Sequence, residues 1–193
     1  MAKILGKMGM PDPEKRMKDY PHLFSGGMRQ RAMISMAISC NPNILIADEP
    51  TTCLDVTIQA QIMELMKQLK KTINASIILI THDMGLIAEI CETVAVMYAG
   101  KVVEYADVLS LFDEPSHPYT EALLSSIPGY KETIVRFNVI KGSVPNLINP
   151  PLGCRFHPRC RYTTNICREK DPPGIKVGKK HISFCFHIDK LRG

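Results

Sequence analysis

Residues 43–50 read Asn-Ile-Leu-Ile-Ala-Asp-Glu-Pro, and this stretch decides the fold that the sequence predicts. The run from Ile44 to Ala47 is short and continuously apolar, which is typical of a strand buried on both faces of a parallel sheet. Asp48 and Glu49 follow it directly. Open parallel sheets bind ligands at the carboxyl ends of their strands, so this pair predicts a site that orients magnesium or activates water. The alternative is that both are surface charges in a loop.

The sequence on either side of this stretch alternates between helix and strand. A second buried strand is predicted over 76–81, and strand, helix, strand at this spacing favours an α/β domain with parallel pairing. A hairpin is predicted over 93–105. In the helix that begins at Ser25, the helical spacing of Met33 and Met36 predicts a buried apolar face. Further helices are predicted over 56–73, 83–91, 106–112 and 118–126.

The segment Ser25-Gly26-Gly27-Met28-Arg29-Gln30 opens the first of these helices. A serine and two glycines leave backbone N–H groups open to close approach, and the helix dipole adds positive potential there. Together these features predict an anion or phosphate site. Ser25 also fits the N-cap of an ordinary helix after a flexible turn, and the segment taken alone favours that simpler interpretation.

Two further positions fall at the ends of predicted elements. Asp55 precedes the helix over 56–73 and is expected to cap it. His82 follows the second buried strand, which places it at the same edge of the sheet as Glu49. An isolated histidine usually has no special role. This position, however, makes His82 a candidate to hydrogen-bond a phosphate oxygen.

Composition limits the classes of protein that the chain can represent. Its 193 residues correspond to one domain, or one domain with a small appendage. With 45% hydrophobic and 22% charged residues, the chain is neither disordered nor fibrous. No apolar run approaches the roughly 20 residues that span a bilayer, and no charged-then-apolar leader opens the chain. We therefore expect neither an integral membrane protein nor a secreted one.

Charge and cysteine are concentrated near the carboxyl end. Residues 151–193 contain ten basic and three acidic residues, whereas residues 1–150 contain 14 and 16. The same 43 residues hold four of the seven cysteines: Cys154, Cys160, Cys167 and Cys185. We therefore predict a body over 1–126, a proline-rich connector over 127–153 and a Cys-rich extension over 154–193.

The spacing of the four cysteines leaves their role open. Paired C-x₂-C knuckles, which are the usual sign of zinc, are absent, and the pattern is not that of a ferredoxin. A zinc site, an iron–sulfur cluster and free thiols remain equally compatible with the residues, while a cytosolic compartment disfavours two disulfides. Nearby histidines are possible extra ligands, and nearby arginines are able to offset the charge of a cluster. These are His157, His181, His187, Arg155, Arg159, Arg161 and Arg168.

In their order and spacing, the candidate sites resemble the ATP-binding cassette (ABC) family over about residues 20–105. In that resemblance Ser25 to Gln30 is the signature motif, and Ile44 to Glu49 is the Walker B strand with its catalytic glutamate. Leu54-Asp55 is similar to the D-loop, and His82 to the switch histidine. The resemblance implies part of a P-loop NTPase fold that uses ATP and Mg²⁺, with catalytic roles for Glu49 and His82.

Several phrases narrow the resemblance to the ATPases of dipeptide and oligopeptide importers. That subfamily has a C-terminal extension whose cysteines hold a [4Fe–4S] cluster in some members. The resemblance therefore implies that Cys154, Cys160, Cys167 and Cys185 bind such a cluster, with Zn²⁺ as the alternative. Cys53, where the family usually has alanine, is a small departure. The phrases are FSGGMRQR (24–31), IADEPTTCLD (46–55), VTIQAQI (56–62), HPYT (117–120) and GCRFHPRC (153–160).

The resemblance also implies partners and a place in the cell. Two nucleotide-binding domains of the family sandwich ATP head to tail, as a homodimer or a heterodimer, and transmembrane permease subunits hold them at the cytoplasmic face of the cell membrane. No nucleic acid is expected as a partner. Asp48, Glu49 and His82 would act on the chain's own nucleotide. The residues Ser25, Gly26, Gly27, Met28, Gln30 and Asp55 would contact ATP at the dimer interface.

One absence separates this chain from the family pattern. The 193 residues contain no G-x-x-x-x-G-K-[ST] phosphate loop and no Q-loop before the signature. The chain thus resembles the C-terminal half to two thirds of such an ATPase, and we expect it to be inactive alone. Two alternatives remain at this point. One is a nucleic-acid-associated ABC-type ATPase whose basic tail binds metal, and the other is a non-enzymatic metal-binding remnant.

Overall fold

The computed structural model describes residues 1–52, 54–73, 75–127, 129 and 140–192. Cys53 and the part of the predicted connector over 130–139 lie outside the described residues. The chain divides into two compact units, Met1–Leu86 and Ile87–Gly193. This division is based on packing within each unit. The boundaries predicted at 126 and 153 separate the body, the connector and the Cys-rich extension, and they stay a prediction.

The first unit has the strand–helix–strand order that the sequence predicts. Ser25 and Asp55 each cap the helix that follows, because their side chains accept a backbone N–H three residues ahead. The mixed α/β class with parallel pairing is confirmed. The elements are α1 (Ala2–Lys7), α2 (Pro13–Arg16), α3 (Gly26–Ile38), β1 (Ile44–Asp48), α4 (Val56–Thr72) and β2 (Ser76–Ile80), followed by α5 (Met84–Ile90), which crosses the unit boundary.

Strands β1 and β2 pair in parallel, with Ile44 opposite Ser76 and Asp48 opposite Ile80. The prediction that they are buried on both faces is wrong. Leu45 on one face is buried, while Ile46 on the other face is 63% exposed. The reason is that a two-stranded sheet presents two faces, and the helices of the described residues cover only one of them.

The core of the first unit lies between Leu45 and the helices. The apolar stripe of α4 is buried as its 3.6-residue period predicts, with Ile62 and Met66 almost fully covered. The face predicted for α3 is wrong. Met33 and Met36 are more than half exposed, and Ile34 is buried instead. This helix carries apolar residues nearly all round, so its spacing alone does not distinguish the buried face.

The second unit contains an antiparallel sheet to which the Cys-rich extension contributes two strands. The order is β3-β4-β6-β5, so the extension adds its strands to the predicted hairpin. The sequence did not predict these two short strands. No helix in the described part of the chain is long and apolar enough to cross a bilayer. The elements are β3 (Thr93–Tyr98), β4 (Lys101–Asp107), α6 (Val108–Asp113), α7 (Pro118–Leu124), α8 (Asn165–Glu169), β5 (Ile175–Gly178), β6 (His181–Ser183) and α9 (Asp189–Arg192).

A buried carboxylate joins three segments of this unit. Glu104 on β4 is fully buried and accepts backbone N–H groups from Ser116 at 2.5 Å and His117 at 3.1 Å. His181 on β6 donates from Nε2 to its Oε1 at 2.7 Å. Ser183 donates to the Ser116 carbonyl at 2.6 Å. Burying a carboxylate is costly unless its oxygens are hydrogen-bonded, and these donors meet that requirement.

We expect Glu104→Ala to lower the free energy of unfolding by about 3–5 kcal/mol, because it leaves buried donors and His181 without their partner. Urea unfolding followed by circular dichroism measures the loss. Hydrogen exchange at α7 and β6 locates it in the second unit.

The matched control is Glu121→Ala. It breaks an ion pair with Arg161, 2.7 Å between Oε1 and Nη2, in which the arginine side chain is 62% exposed. Exposed ion pairs contribute about 0–1 kcal/mol to stability, so we expect the free energy of unfolding of this variant to stay close to that of the parent. Equal losses in the two variants would contradict the role assigned to Glu104.

Candidate functional site

The structure brings Glu49 and His82 together at the carboxyl ends of β1 and β2. The Glu49 backbone N–H donates to the Ile80 carbonyl at 2.9 Å, which extends the parallel pairing by one residue. His82 Nδ1 then lies 3.2 Å from Glu49 Oε1. Glu49 has a φ of 43°, in the left-handed region that few non-glycine residues occupy. Strained backbone of this kind is often found at functional sites.

The Glu49 carboxylate is held in its ionised form. The Thr52 hydroxyl donates to Oε2 at 2.8 Å, and this bond, followed by the one with His82, lowers the pKa of Glu49 below its ordinary value. Both side chains of the Glu49–His82 pair are open to solvent, at 48% and 83% exposure. An ionised carboxylate beside an imidazole is able to accept a proton from a water molecule at this edge.

Asp48 lies on the same edge but is not tied into this pair. It is the last residue of β1 and is exposed. Among the described residues, no hydrogen bond or ion pair involves its carboxylate. Its oxygens are therefore available to bind water or a hard cation, which is the chemistry that the sequence predicts for it.

The segment that opens α3 packs tightly against the start of α4. A Cβ on Gly26 would meet Leu54 Cδ2 at 3.2 Å, and one on Gly27 would meet Ile58 Cγ2 at 2.8 Å. The Ser25 hydroxyl accepts the Met28 N–H at 3.3 Å and thus acts as the N-cap. The glycines therefore serve helix packing here, whether or not they also approach a ligand.

The candidate residues thus fall into two groups. Glu49 and His82 form one, with Asp48 beside them. Ser25 to Gln30 and Asp55 form the other, at the neighbouring starts of α3 and α4, where Asp55 caps α4 by accepting the Ile58 N–H at 2.9 Å. No hydrogen bond joins the two groups within the described residues.

The four cysteines of the extension line one cavity. Cys167 and Cys185 are buried, Cys154 and Cys160 are half-buried, and all four are free thiols. Burial raises the pKa of Cys160 to about 11 and that of Cys185 to about 12. Two of the other cavity cysteines also raise the pKa of Cys160, and all three others raise that of Cys185. The four sulfurs are therefore close neighbours in a poorly solvated place.

Backbone N–H groups point at these sulfurs. His187 donates its N–H to Cys185 Sγ at 3.3 Å. The backbone N–H groups of Phe156 and His157 partly offset the effect of burial on the pKa of Cys154, and that of Tyr162 does so for Cys160. At each of these three cysteines one such N–H belongs to the residue two positions further along the chain. Donors aimed at sulfur stabilise thiolates over thiols.

No three His, Cys, Asp or Glu side chains in the described residues are arranged to hold a single metal ion. The predicted spare ligands also have other partners. His181 is bonded to Glu104, His157 Nδ1 lies 2.9 Å from the Cys154 carbonyl, and His187 Nε2 lies 2.8 Å from Thr164 Oγ1. Zinc needs its ligands within about 2.3 Å of one centre, and the cavity does not offer that arrangement.

Three of the four arginines that the sequence predicts to offset the charge of a cluster bind the protein itself. Arg155 donates to the Ala99 carbonyl of the hairpin, and Arg161 pairs with Glu121 of α7. Arg159 donates to the Ile140 and Lys141 carbonyls, at 2.9 and 3.0 Å. These contacts hold the extension on its own unit, and they explain part of the basic charge without a ligand.

Sequence reasoning missed one residue of the cavity, His117. It lies 37 positions before the first cavity cysteine, yet it lines the same space as the four thiols. The only signal was the phrase His117-Pro118-Tyr119-Thr120, which carried the resemblance to a subfamily but indicated no role for this histidine.

Two family models match separate parts of the chain. One, described as "ABC transporter", matches residues 1–52, and one described as "Oligopeptide/dipeptide transporter, C-terminal region" matches residues 103–167. The two matches together cover the signature segment, the first strand with Glu49 and three of the four cavity cysteines.

Curated relatives match along nearly the whole chain. The oligopeptide transport ATP-binding protein AppD of Bacillus subtilis is 56% identical over 96% of this chain and 56% of its own length. The dipeptide transport ATP-binding protein DppD of Haemophilus influenzae is 51% identical over 93% of this chain and 54% of its own length. DppD of Escherichia coli is 50% identical over 95% of this chain and 56% of its own length. The chain spans about half the length of these relatives. The matches favour the peptide-transport resemblance over the nucleic-acid alternative.

Replacing the Thr52 hydroxyl tests the geometry at Glu49. We expect Thr52→Val to raise the pKa of Glu49 toward its ordinary value, because the larger of the two hydrogen bonds that favour the carboxylate is removed. A carbon-13 NMR titration of the glutamate carboxyl groups measures the pKa of Glu49. Thr57→Val, at an exposed position of α4, is the matched control and leaves this pKa unchanged. An unchanged Glu49 pKa in Thr52→Val would show that the hydroxyl is not bonded there.

Proposed function

Because the chain belongs to the peptide-transport branch of the ABC transporter ATP-binding proteins, we propose that it is part of an ATPase subunit that energises peptide import. The observation that carries this proposal is the pairing of Glu49 with His82 at the carboxyl edge of the parallel strands, 3.2 Å apart. Ligands of parallel α/β sheets bind at this edge.

In this proposal Glu49 and His82 are the catalytic residues. Ionised Glu49 accepts a proton from the water that attacks the γ-phosphate of ATP, and His82 hydrogen-bonds a γ-phosphate oxygen. Exposed Asp48 would orient the water shell of Mg²⁺, and the ion would supply positive charge to the phosphates. The lowered pKa of Glu49 keeps its carboxylate ionised at neutral pH, which is the form that is able to accept a proton.

The second group of residues is proposed to act on a nucleotide held by another subunit. Ser25, Gly26, Gly27, Met28 and Gln30 would face the γ-phosphate of that ATP, with Asp55 at the same interface. Within the described residues, no hydrogen bond joins them to Glu49, which is compatible with such a division. The start of α3 offers free backbone N–H groups and the positive end of a 13-residue helix, which suit a phosphate.

The proposed partners follow from this arrangement. A second ATPase subunit, identical or homologous, completes the nucleotide sandwich. Transmembrane permease subunits hold the pair at the cytoplasmic face of the cell membrane. Since the 193 residues contain no phosphate loop, we expect the chain alone to show no measurable ATP hydrolysis. Robust turnover by the purified chain, abolished by Glu49→Gln, would contradict this expectation.

A chimera tests the proposed function. The chain replaces the portion that it matches in Escherichia coli DppD, in a strain that lacks DppD and needs a dipeptide as its source of an essential amino acid. We expect the chimera to restore growth. Glu49→Gln should abolish growth and lower ATP turnover by about 100-fold or more, because it removes the proton acceptor.

Glu14→Gln, at an exposed position of α2, is the control for loss of one carboxylate and should grow like the parent chimera. Immunoblotting establishes equal amounts of all three proteins. A stably produced chimera that does not restore growth, or growth that survives Glu49→Gln, would refute the proposal.

We propose as a second function that the cavity of the extension binds a [4Fe–4S] cluster. The donor set fits such a group, because four thiols line one cavity and backbone N–H groups point at three of them. Bound iron would keep the four sulfurs ionised despite their burial. The role of the cluster is proposed to be structural.

Anaerobic reconstitution of the chain with ferrous iron and sulfide tests this second proposal. We expect a brown protein with broad visible absorbance and about four iron atoms per chain. Cys185→Ser should lose the absorbance, whereas Cys40→Ser, which replaces an exposed thiol outside the cavity, should retain it. A colourless protein that contains one zinc ion per chain would support the alternative instead.

A further inference from the structure

His117 lies between the buried carboxylate of the second unit and the four-cysteine cavity. Its backbone N–H donates to Glu104, its ring is 1% exposed, and it lines the cavity with the thiols. The ring also packs against Phe156, 5.8 Å between centroids. Backbone and ring are thus both fixed, which gives the imidazole one orientation.

Hydrogen bonding determines which nitrogen of this ring carries the proton. The Tyr119 backbone N–H donates to His117 Nδ1 at 3.1 Å. A proton on Nδ1 would set two donors against each other at that distance, so the neutral ring must carry its proton on Nε2. Nε2–H is therefore a donor whose position is fixed by the bond at Nδ1.

The Nε2 atoms of the other two histidines of the cavity do not offer such a donor. His157 Nδ1 faces the Cys154 carbonyl at 2.9 Å and must donate to it, so its neutral ring has no proton on Nε2. His187 Nε2 is engaged with the Thr164 hydroxyl at 2.8 Å. By contrast, no described residue accepts a hydrogen bond from His117 Nε2. Since Nδ1 faces the backbone, the edge of the ring that carries Nε2 is the part left to line the cavity.

We propose that His117 Nε2–H donates a hydrogen bond to a sulfur atom of the group held by the four cysteines, and so acts as a positioning residue for it. This inference rests on the proposed metal-binding function of the extension. A donor to sulfur withdraws electron density from a cluster and raises its reduction potential. Through Glu104, the same histidine ties the cavity to the hairpin of the sheet.

The experiment uses the full chain, reconstituted anaerobically with iron and sulfide and then reduced. Proton and nitrogen-15 hyperfine spectroscopy of the reduced cluster detects a hydrogen bond to sulfur directly. The histidine is labelled with nitrogen-15 in its imidazole ring only, because the backbone N–H of His187 also donates to a cavity sulfur. We expect one exchangeable proton coupling from a histidine ring, which disappears after transfer to deuterium oxide. This measurement needs no variant and therefore does not depend on a mutant folding.

Three variants assign the coupling. His117→Phe keeps the ring volume but removes the donor, so we expect the coupling to be lost and the midpoint potential to fall. His117→Gln restores an N–H near the same place, and we expect its potential to lie between those of the parent and His117→Phe. His157→Phe removes a cavity histidine without a proton on Nε2, so the coupling remains.

The outcomes separate this inference from the proposal on which it rests. A parent protein that takes up no iron–sulfur cluster would overturn both. A parent protein with a cluster but without an exchangeable histidine coupling would overturn the role of His117 alone. A coupling that survives His117→Phe would also do so, because the donor would then be another histidine.

Discussion

The second unit depends on the burial of one carboxylate. Glu104 has no access to water, so its two oxygens must be satisfied by protein donors. Those donors come from the turn before α7 and from β6 of the extension, which are distant from β4 and from each other along the chain. The extension is therefore anchored to the hairpin by a polar requirement as well as by apolar packing. One of these bonds also fixes the backbone of His117, whose ring lines the cavity with the cysteines.

The first unit depends on a different constraint, the parallel pairing of β1 with β2. Parallel strands end at the same edge, so this pairing brings together two residues that are 33 positions apart along the chain, Glu49 and His82. The hydrogen bond from Glu49 N–H to the Ile80 carbonyl carries the pairing past the end of β1. This is the backbone geometry that turns Glu49 toward His82 and Thr52.

Much of the first unit was predictable from the sequence because the signals for its elements are local. Caps at Ser25 and Asp55, the stripe of α4 and the two apolar strands each depend on neighbouring residues alone, and the structure confirms them. The meeting of Glu49 with His82 followed from the parallel order. The buried face of α3 and the exposed face of β1 were predicted wrongly, because burial depends on which surfaces pack against the element, and the period of the sequence does not contain that information.

The convergence at the cavity was not predictable in the same way. The strands of the extension are short, and their place beside β4 depends on Glu104, whose partners no spacing rule identifies. His117 reaches the thiols only because the extension folds back onto the hairpin. The four cysteines were recognised as a set from their clustering, while the alignment of backbone N–H groups with their sulfurs became visible only in three dimensions.

The close contact of Gly27 with Ile58 has an evolutionary consequence. A side chain at this position would collide with the Ile58 side chain in any protein that keeps this helix packing and an isoleucine there, whether or not it still meets a nucleotide. A descendant that had lost ATP hydrolysis would thus remain under selection to keep this glycine for stability. Retention of Gly27 in a divergent homologue is accordingly poor evidence of an active transporter, whereas loss of Glu49, which no packing contact requires, would be informative.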